Sequence, residues 1–539
     1  MTVRFDGVEV LVVGAGPVGS ALAIELGRAG IRCLVVERRT GRSPQPRAKL
    51  TNIRTMTLLR RWGVAGEVRA RSPLPPTFPS DVAFVTRLRG WELTRFPNAL
   101  STALNRDRPY PEPAQQVPQD VLEGVLRDHA VALPSVTLMT GVQFDSFEQT
   151  AGGILAHATI LESGERFEVH ADYIAGCDGA HSLVRDIAGI DMPGVELAPN
   201  VSAVLRAPTL WSEHDKAPAV HYWTVTPAAP GILGPLDASG LWWFHLNEVP
   251  GDGRLTNDEL RRSFFAAVGG EFTCEVVANS PWVAQRRIAG TYRAENAFLL
   301  GDAAHLHPPM GGYGMNMGIG DAVDLGWKLA AVIRNWGGPA LLDSYEAERR
   351  PIHLRVIEEA ASNYRNNSNR YQDELLEVEG PAGDEARGRI GRRIHEEKAR
   401  EFASIGAQLG YRYEASPVVV PDGSDATADA VGVYIPTARP GHLAPHAWLD
   451  EERCIYDLLG RGFSLLRFTR EPDAGMDLIR AAEARNIPLT VVDLDDEAMK
   501  HLYGADLVLV RPDQHVAWRG KPSGDAPNVL DTVCGLSQG

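Results

Sequence analysis

The segment from Val8 to Glu37 constrains the fold more than any other part of the chain. An apolar run of strand length leads into the sequence GAGPVG, which begins at Gly14, and a helical pattern and a second apolar run ending at Glu37 follow. This order predicts a parallel β-α-β unit. In such a unit the turn brings backbone N–H groups to a pyrophosphate, and the acid after the second strand accepts hydrogen bonds from a ribose. The segment therefore predicts a dinucleotide-binding site.

Each glycine of this turn has its own expected role. Gly14 permits the tight turn out of the strand, Gly16 lets the backbone approach the pyrophosphate, and Gly19 lets the helix pack closely on the strand. The alternative is a glycine-rich turn that binds no ligand. The acid at the expected distance favours the dinucleotide, although the motif identifies neither which dinucleotide nor which reaction.

Composition excludes several classes of protein. The 539 residues are 44% hydrophobic and 23% charged, which is typical of a soluble globular protein of two or three domains. The formal net charge of −15 argues against nucleic acid or an anionic membrane as partner. The five cysteines are scattered without a CxxC motif, and neither a signal peptide nor a long apolar stretch is present. A cytoplasmic protein without a membrane segment is therefore expected.

The sequence predicts two regions of mostly β-structure. Residues 136–174 alternate in short runs that predict a β-meander, and residues 195–290 are rich in β-branched and aromatic residues, as in an antiparallel sheet with one buried face. Residues 82–104 are also strand-like. Tryptophans are concentrated in and just beyond the long β-region, where they indicate either the wall of a pocket for an aromatic ligand or an ordinary core: Trp211, Trp223, Trp242, Trp243, Trp282 and Trp327.

The last part of the chain reads as a separate α/β unit. A linker or exposed loop is expected at residues 378–389, and a strand, helix, strand and hairpin follow between 463 and 519. This order resembles a thioredoxin-like fold. Because the CxxC motif is absent, a structural or oligomerisation role is expected rather than dithiol chemistry.

Three separate motifs together carry a specific resemblance. The first is the glycine-rich turn with its acid; the second is Asp178-Gly179, followed by Ser182 and Arg185; the third runs from Gly301-Asp302 to Asn316. In this order they resemble the single-component FAD-dependent aromatic hydroxylases, the class A family of para-hydroxybenzoate hydroxylase and phenol hydroxylase. The resemblance extends over roughly residues 5–370, and the C-terminal part resembles the thioredoxin-like appendage of the phenol hydroxylase branch.

The resemblance implies an α/β fold in which a Rossmann-type FAD-binding domain is interleaved with an antiparallel-sheet substrate domain, followed by the thioredoxin-like α/β domain. The expected domains are FAD binding at 1–75, 105–190 and 285–395, substrate binding at 76–104 and 191–284, and a C-terminal domain without CxxC at 405–539.

The implied activity is that of an FAD-dependent monooxygenase. Such an enzyme uses NADPH or NADH and O₂ to hydroxylate a phenolic or other electron-rich aromatic substrate through a C4a-hydroperoxyflavin. One alternative is a Baeyer–Villiger or epoxidising oxygenase that acts on a polycyclic natural product, and another is a non-catalytic FAD-fold binding protein. A flavin-dependent halogenase is disfavoured because its Trp-x-Trp-x-Ile-Pro motif is absent. No nucleic acid or membrane partner is expected, and the chain is either a monomer or a homodimer.

The resemblance also implies roles for individual residues. Glu37 would bind the adenosine ribose, and Arg47 and Gln119 would hold the pyrophosphate and ribityl chain, with Gln116 as the rival of Gln119. Asp302 would bind the ribityl or pyrophosphate side. The complete set of implied cofactor-binding residues is Gly14, Gly16, Pro17, Val18, Gly19, Glu37, Arg38, Arg47, Gln119, Asp178, Gly301, Asp302, Pro309, Gly312, Gly314, Met315 and Asn316.

Within the third motif, the backbone N–H groups of Met315 and Asn316 would face the pyrimidine oxygen of the flavin and stabilise its anionic reduced form. Pro309 lies where the family keeps a backbone carbonyl close to the isoalloxazine ring. Asp178 belongs to a motif that the family associates with both FAD and the nicotinamide.

A catalytic base is not identified by the sequence. His221, Tyr222 and His245 lie on the aromatic strands, and Tyr313 lies within the third motif, so each is a candidate for a group that deprotonates a phenol. His305 and His307 are two residues apart without a nearby carboxylate or cysteine in the sequence, so no metal site is expected.

Overall fold

The computed structural model describes residues 3–41, 48–103, 105–521 and 525–536. The strands are β1 (Val3–Val13), β2 (Cys33–Glu37), β3 (Leu50–Thr51), β4 (Val82–Val85), β5 (Glu92–Phe96), β6 (Gln115–Gln116), β7 (Val136–Thr140), β8 (Val142–Thr150), β9 (Gly153–Ile160), β10 (Arg166–Gly176), β11 (Gly194–Arg206), β12 (His221–Thr224), β13 (Gly231–Pro235), β14 (Leu241–Leu246), β15 (Glu275–Ile288), β16 (Arg293–Ala294), β17 (Ala297–Leu299), β18 (His305–Leu306), β19 (Phe463–Arg467), β20 (Leu489–Asp493), β21 (Leu507–Val510) and β22 (Val516–Gly520).

The α-helices are α1 (Pro17–Arg28), α2 (Ile53–Trp62), α3 (Ala65–Arg71), α4 (Gln119–Val131), α5 (Leu183–Ile187), α6 (Asn257–Val268), α7 (Gly314–Ile333), α8 (Pro339–Arg365), α9 (Pro381–Phe402), α10 (Ile405–Leu409), α11 (Met476–Ala484), α12 (Glu497–Tyr503) and α13 (Ala526–Val533).

The first sheet contains the predicted β-α-β unit. Its strand order is β16-β17-β10-β1-β2-β7, with β8 and β9 continuing from β10, and the strands from β17 to β7 are parallel. Helices α1, α4 and α7 contribute to the same apolar core as these strands, so β1 is apolar along its end and Val10 to Val13 are buried. The prediction of a β-meander is confirmed for β8, β9 and β10, which pair antiparallel in sequence, but β7, at the start of the predicted range, pairs parallel with β2 instead.

The second sheet confirms the predicted antiparallel region and adds an excursion from earlier in the chain. Its order is β18-β15-β11-β14-β13-β12-β4-β5, and β4 joins it by parallel pairing with β12. Side chains alternate between the two faces along each strand. One face packs on α6, which begins at a capping box formed by Thr256 and Glu259. The opposite face carries the aromatic residues described below.

The third sheet, β20-β19-β21-β22, forms the C-terminal α/β unit with α11, α12 and α13. Its strand, helix, strand and hairpin follow the predicted order. A buried ion-pair network joins it to the rest of the chain: Arg511 contacts Glu348 on α8 at 2.5 Å and Asp324 on α7 at 3.0 Å. Arg54 on α2 donates to the carbonyl of Asp513 at 2.7 Å. The unit is therefore anchored to the helices of the first sheet.

The expected linker at 378–389 is wrong. The chain turns at Gly380, whose φ of 91° suits glycine, and α9 begins at the next residue with proline at its first position. The helix packs on the edge strand β5, where the Phe96 ring stacks on His395 with centroids 4.7 Å apart. Apolar residues at helical spacing in this polar segment, including Ile390 and Ile394, supply the buried contact. The domain boundaries as a whole remain a prediction.

Among the helices of the described residues, none combines the length and apolar character that crossing a bilayer requires.

Candidate active site

The glycine-rich turn after β1 leaves room for a ligand at one position only. A Cβ on Gly14, whose φ is +100°, would lie 2.5 Å from the carbonyl oxygen of Cys177, and a Cβ on Gly19 would collide with the carbonyl of Gly14. These two glycines are required by packing. A Cβ on Gly16 would meet no atom within 4 Å. Gly16 precedes α1, whose first turn has no side-chain cap within the described residues. Free N–H groups facing open space fit a pyrophosphate.

The two residues after Gly16 help to fix this turn. Pro17 occupies the first position of α1, where its missing N–H costs nothing. The side chain of Val18 lies against Gly301 and Gly318, because Cβ atoms on those glycines would lie 2.9 Å and 2.6 Å from Val18 Cγ2. The turn after β1 is thereby packed against the segment after β17.

Glu37 lies at the end of β2, as predicted. Its Oε2 accepts a hydrogen bond from the N–H of Ala15 at 2.9 Å, and its Oε1 accepts one from Arg39 at 2.9 Å. A carboxylate has about four acceptor positions, so both oxygens retain capacity for ribose hydroxyls. Arg38 is exposed beside it and lines a cavity of about 480 Å³ together with Arg39, Thr40, Gly41, Thr140, Gly141, Ile160, Leu161 and Glu162.

Two acidic residues follow strands at the same edge of the first sheet. Asp178 lies just beyond β10, and its Oδ2 accepts from the N–H groups of Leu183 and Val184 at 2.8 and 3.2 Å. Its Oδ1 is buried and has no partner within the described residues, and burial raises the pKa of the carboxyl. Asp302 lies just beyond β17. Ligands of parallel sheets bind at this edge, beyond the carboxyl ends of the strands.

The third motif forms a glycine-rich loop, residues 309–316, that leads into α7. Asn316 fixes this loop: its Oδ1 accepts from the N–H of Asn52 at 2.9 Å, and its Nδ2 donates to the carbonyls of Leu50 at 2.9 Å and Gly312 at 2.8 Å. The expected role of Asn316 lay in its backbone alone, so this clamp of the loop to β3 was missed.

The start of α7 supplies the donors expected of this loop. Helix α7 begins at Gly314, and its first intrahelical bond runs from Met317 N–H to the carbonyl of Tyr313. The N–H groups of Gly314, Met315 and Asn316 thus precede the helical ladder, at the positive end of the helix dipole. Pro309 is exposed, and its carbonyl accepts from Gly312 N–H at 3.1 Å. The arrangement fits the anionic edge of a reduced flavin.

Helix α4 brings a polar row to the glycine-rich turn. Gln119 donates to Glu123 at 2.9 Å, and Arg127 donates from Nε to the carbonyl of Ala15 at 2.7 Å. Arg127 was missed, although its spacing of four and eight residues from Glu123 and Gln119 places all three on one helix face. The rival Gln116 is buried on β6 with neither amide atom partnered within the described residues. Arg47 lies outside the described residues.

A buried polar cluster, here the Asp321 cluster, joins the segment after β17 to α7 and α8. Asp321 Oδ2 accepts from Gly301 N–H at 3.1 Å and lies 2.8 Å from His305 Nε2, and its Oδ1 lies 2.8 Å from Arg349 Nε and 3.0 Å from His353 Nε2. Burial alone would raise the pKa of Asp321, but His353 and Arg349 hold it well below its usual value. Burial also lowers the pKa of His353 to about 3.

The Asp321 cluster gathers ligand-type atoms of His305, Asp321 and His353 within 4.8 Å of one another. The sequence argument that His305 lacks a nearby carboxylate was therefore wrong, because α7 brings Asp321 to it from sixteen residues away. Arg349 nevertheless occupies the carboxylate and supplies the positive charge that a cation would otherwise bring. The cluster fits a structural role rather than a metal centre.

Four rings form an aromatic wall on the second sheet, on the face away from α6. These are His221 on β12, Trp243 and His245 on β14, and Trp282 on β15. Successive ring centroids are 5.3, 6.0 and 5.4 Å apart. Ser202 links the last two rings, since its hydroxyl lies 3.1 Å from His245 Nδ1 and accepts from Trp282 Nε1 at 3.0 Å.

The remaining tryptophans of the β-region belong to the core. Trp211 and Trp242 pack against each other on the α6 face with centroids 4.8 Å apart, and Trp223 stacks on Phe84 at 5.1 Å. Trp327 stacks on Trp336 at 6.3 Å next to the C-terminal unit. Each tryptophan could be either part of a pocket wall or a core residue. Trp243 and Trp282 lie on the wall, and the others pack in the core.

Two of the four candidate bases, Tyr222 and Tyr313, lie away from the aromatic wall. Tyr222 alternates with His221 along β12 and therefore points to the α6 face, where its hydroxyl donates to the carbonyl of Ala217 at 2.9 Å. Tyr313 is buried among apolar residues of α8 and α10, including Val356 and Ala407. Its burial raises the pKa of the phenol. His221 and His245 are the candidates that reach the wall.

Lys49 completes the wall, and sequence analysis missed it. Its Nζ lies 2.6 Å from the ring centroid of Trp243 and is buried without a hydrogen-bond partner within the described residues. The next residue, Leu50, contacts the glycine-rich loop, because a Cβ on Gly312 would lie 3.4 Å from Leu50 Cδ2. Lys49 therefore stands between the aromatic wall and this loop.

The comparisons with known proteins agree with this geometry. The model of a family described as "FAD binding domain" matches residues 7–360, and one described as "Aromatic-ring hydroxylase, C-terminal" matches residues 437–536. The chain is 33% identical to a putative polyketide hydroxylase of Streptomyces halstedii, over 98% of this chain and 96% of the relative. It is 30% identical to 4-methyl-5-nitrocatechol 5-monooxygenase of a Burkholderia species, over 97% of this chain and 96% of the relative.

A solved structure of the rebeccamycin biosynthetic enzyme RebC with reduced flavin superposes with a TM-score of 0.91. It is 37% identical in sequence and covers 99% of each chain. The similarity extends over both large sheets and the C-terminal unit.

Proposed function

This chain belongs to the FAD-dependent aromatic-ring hydroxylases, and we propose that its substrate is a multi-ring aromatic compound with a free hydroxyl group. It is a flavoprotein monooxygenase that hydroxylates aromatic substrates with FAD as cofactor and NAD(P)H as co-substrate. The size of the substrate is the part that we add. The names of the relatives do not fix the size of the substrate, since one is named as a putative polyketide hydroxylase and another for a nitrocatechol, which has a single ring.

The observation that carries the proposal is the length of the aromatic wall. His221, Trp243, His245 and Trp282 follow one another at 5.3, 6.0 and 5.4 Å. A single ring would cover one or two of these positions and leave the rest exposed to water. A fused ring system covers the row, and each of its rings can form a favourable offset-stacked or edge-to-face pair with an aromatic side chain of the wall.

The residues around the cofactor have roles that follow from their contacts. FAD, when bound, supplies the redox and oxygen chemistry of the reaction. We infer that Gly16 and α1 bind its pyrophosphate, that Glu37 binds the ribose, and that the N–H groups of Met315 and Asn316 stabilise negative charge on the flavin ring. Arg127, held at the turn by Ala15, adds positive charge beside the pyrophosphate.

The wall and the loop also exclude water from the reacting ring. Trp243 and Trp282 give the substrate an apolar face, whereas Asp178 Oδ1 and the Gln116 amide keep unpaired polar atoms for ligands. We propose that the residues at 76–104 and 191–284 form the substrate domain, since they contribute β4, β5 and the strands from β11 to β15 to the second sheet.

A substrate series tests the proposed size. NADH and NADPH oxidation in air is measured with phenol, 2-naphthol and 2-hydroxyanthraquinone, and the products are identified by mass. Burial of each further ring contributes about 1.5–3 kcal/mol, so kcat/KM is expected to rise roughly 10- to 100-fold per added ring. The expected product is heavier by one oxygen. A kcat/KM for phenol equal to or above that for the anthraquinone would contradict the proposal.

A pair of glycine variants tests the cofactor cradle separately. Gly16→Ala places a methyl group where the pyrophosphate is proposed to lie, and Gly66→Ala, in the exposed part of α3, is the matched control because a Cβ there also meets no atom within 4 Å. Gly16→Ala is expected to weaken FAD binding by about 10-fold or more without lowering the unfolding midpoint of the apoprotein. Equal FAD affinity in both variants would place the pyrophosphate elsewhere.

A further inference from the structure

We propose that the Lys49 ε-amine is the base that accepts the proton of the substrate's aromatic hydroxyl and then binds the resulting phenolate. This inference rests on the proposed function, since it places a hydroxylated ring system on the aromatic wall. It adds a residue that lies outside the three sequence motifs and the four candidates that the sequence offered.

The first support is the position of Lys49 Nζ. It lies 2.6 Å from the ring centroid of Trp243, the second ring of the wall, and the neighbouring Leu50 contacts the glycine-rich loop. A substrate ring that lies between the wall and the loop therefore brings its polar edge within reach of this amine.

The second support is that Nζ, which lies over the Trp243 ring, has no hydrogen-bond partner within the described residues. Nζ is buried and accepts or donates no hydrogen bond, and no carboxylate contributes to its electrostatic environment. Buried lysines are normally paired, because an isolated buried charge is costly. An unpaired one that faces the substrate space is satisfied when a ligand supplies an oxygen.

The third support is the character of the surrounding groups. The titratable groups that face Lys49 are His221 on β12 and His245 on β14, and each has an unpartnered buried Nε2. Burial, with a contribution from the Lys49 charge, lowers the pKa of His245 to about 4 and that of His221 well below its usual value. Burial also lowers the pKa of Lys49 well below its usual value. Burial therefore disfavours the charged form of the amine before a ligand is bound.

The proton transfer balances without another reactant. The O–H bond of the phenol breaks, an N–H bond forms at Lys49, and the neutral pair becomes an ammonium–phenolate ion pair. The described residues place no carboxylate beside Nζ to compete for the ion pair, and opposite charges attract strongly in such a buried site. Deprotonation raises the electron density of the ring at the positions ortho and para to oxygen, which is what an electrophilic hydroxylation requires. The two neutral histidines add hydrogen-bonding capacity next to the same oxygen.

The experiment reads substrate ionisation rather than turnover. 2-Hydroxyanthraquinone changes its visible absorption when its hydroxyl ionises, so difference spectra of the FAD-loaded enzyme across pH report the pKa of the bound compound. 2-Methoxyanthraquinone, which cannot ionise, reports binding of the ring system alone. The variants are Lys49→Met, Lys49→Arg and, as a control on the opposite face of the sheet, Tyr222→Phe.

In the wild-type holoenzyme the pKa of bound 2-hydroxyanthraquinone is expected to fall by about one to two units below that of the free compound, a 10- to 100-fold shift in ionisation. Lys49→Met is expected to abolish the shift while 2-methoxyanthraquinone still binds. Lys49→Arg restores it, because a fixed cation also stabilises the phenolate, and Tyr222→Phe leaves it unchanged.

Different failures contradict different claims. If both anthraquinones bind to the wild type and the shift is absent, or survives in Lys49→Met, the role of Lys49 is wrong and the proposed substrate class stands. If neither compound binds to the wild-type holoenzyme, the multi-ring substrate class is wrong, and the Lys49 proposal that rests on it is overturned as well. Loss of FAD from Lys49→Met alone would identify Lys49 as a cofactor contact and would also overturn the proposal.

Discussion

Two buried polar clusters differ in how completely the chain satisfies their charged groups. In the Asp321 cluster, both carboxylate oxygens have partners, among them Arg349 at 2.8 Å and His353 at 3.0 Å, although His305 Nδ1 has none within the described residues. In the second, the Lys49 cluster of Lys49, His221 and His245, Nζ and both Nε2 atoms have no partner within the described residues. The polar atoms compared are buried in both clusters.

This difference distinguishes a cluster that stabilises the fold from one that is available to bind a ligand. A buried polar group whose partners come from the chain is part of the folded structure, because removal of one partner leaves the other uncompensated. A buried polar group without partners weakens the fold and is retained where a ligand completes it. The same physical test thus assigns the Asp321 cluster to the fold and the Lys49 cluster to the substrate.

The largest effect is expected for Asp321→Asn. The substitution removes the negative charge opposite the buried Arg349 and leaves that guanidinium with only neutral acceptors, so the free energy of unfolding should fall by about 3–5 kcal/mol. Urea unfolding at saturating FAD measures it. The matched control is Asp343→Asn, an exposed partner of Arg293, for which a change below about 0.5 kcal/mol is expected. A loss below 1 kcal/mol for Asp321→Asn would remove the distinction between the clusters.

For Lys49→Met we expect an increase, rather than a decrease, in the free energy of unfolding. It replaces an unpaired buried amine with an apolar side chain of similar length that can pack on Trp243, so the free energy of unfolding should rise by about 1–3 kcal/mol at neutral pH. The same urea measurement, made without substrate, checks it. Destabilisation by Lys49→Met would mean that the chain itself satisfies this amine.

The third test is the pH dependence of the difference in stability between the wild type and Lys49→Met. Because the pKa of Lys49 is lowered in the folded protein, the unfolded chain binds more protons between the folded pKa and about 10.4. Wild-type stability should therefore rise with pH across that window relative to Lys49→Met, and the gap between the two should narrow as pH approaches 10. Paired unfolding curves at pH 7, 8 and 9 measure the gap. A gap independent of pH would show that Lys49 titrates normally.

The smallest effect is expected for Tyr222→Phe. It removes one buried hydrogen bond to the Ala217 carbonyl, which contributes about 1 kcal/mol. Because Tyr222 faces α6, kcat and KM should stay within about twofold of the wild type. A tenfold loss of kcat without loss of stability would instead place its hydroxyl at the substrate.

The parts that the sequence predicted are those determined by neighbouring residues. The turn after β1, the acid that ends β2 and the glycine-rich loop are each encoded within a short segment. Local geometry alone places Gly14, Glu37 and Gly314 where the resemblance implied. The roles of these residues toward the cofactor remain predictions.

The parts that the sequence missed depend on distant pairing. Which face of β12 belongs to the aromatic wall follows from its pairing with β4 and β13, so alternation alone could not distinguish His221 from Tyr222. Lys49 meets Trp243 only because β3 and the second sheet converge across nearly two hundred residues. His305 meets its carboxylate in the same way, through the packing of α7. α9 was misjudged because its polar, glycine-containing sequence hides a narrow apolar stripe.

The most direct test of the account is a crystal structure of the FAD-loaded enzyme with 2-hydroxyanthraquinone. The account predicts that the ring system lies along His221, Trp243, His245 and Trp282, and that its hydroxyl oxygen is within about 2.7–3.2 Å of Lys49 Nζ. A ligand bound with its hydroxyl away from Lys49, or a Lys49 Nζ paired with a carboxylate of the chain, would contradict it.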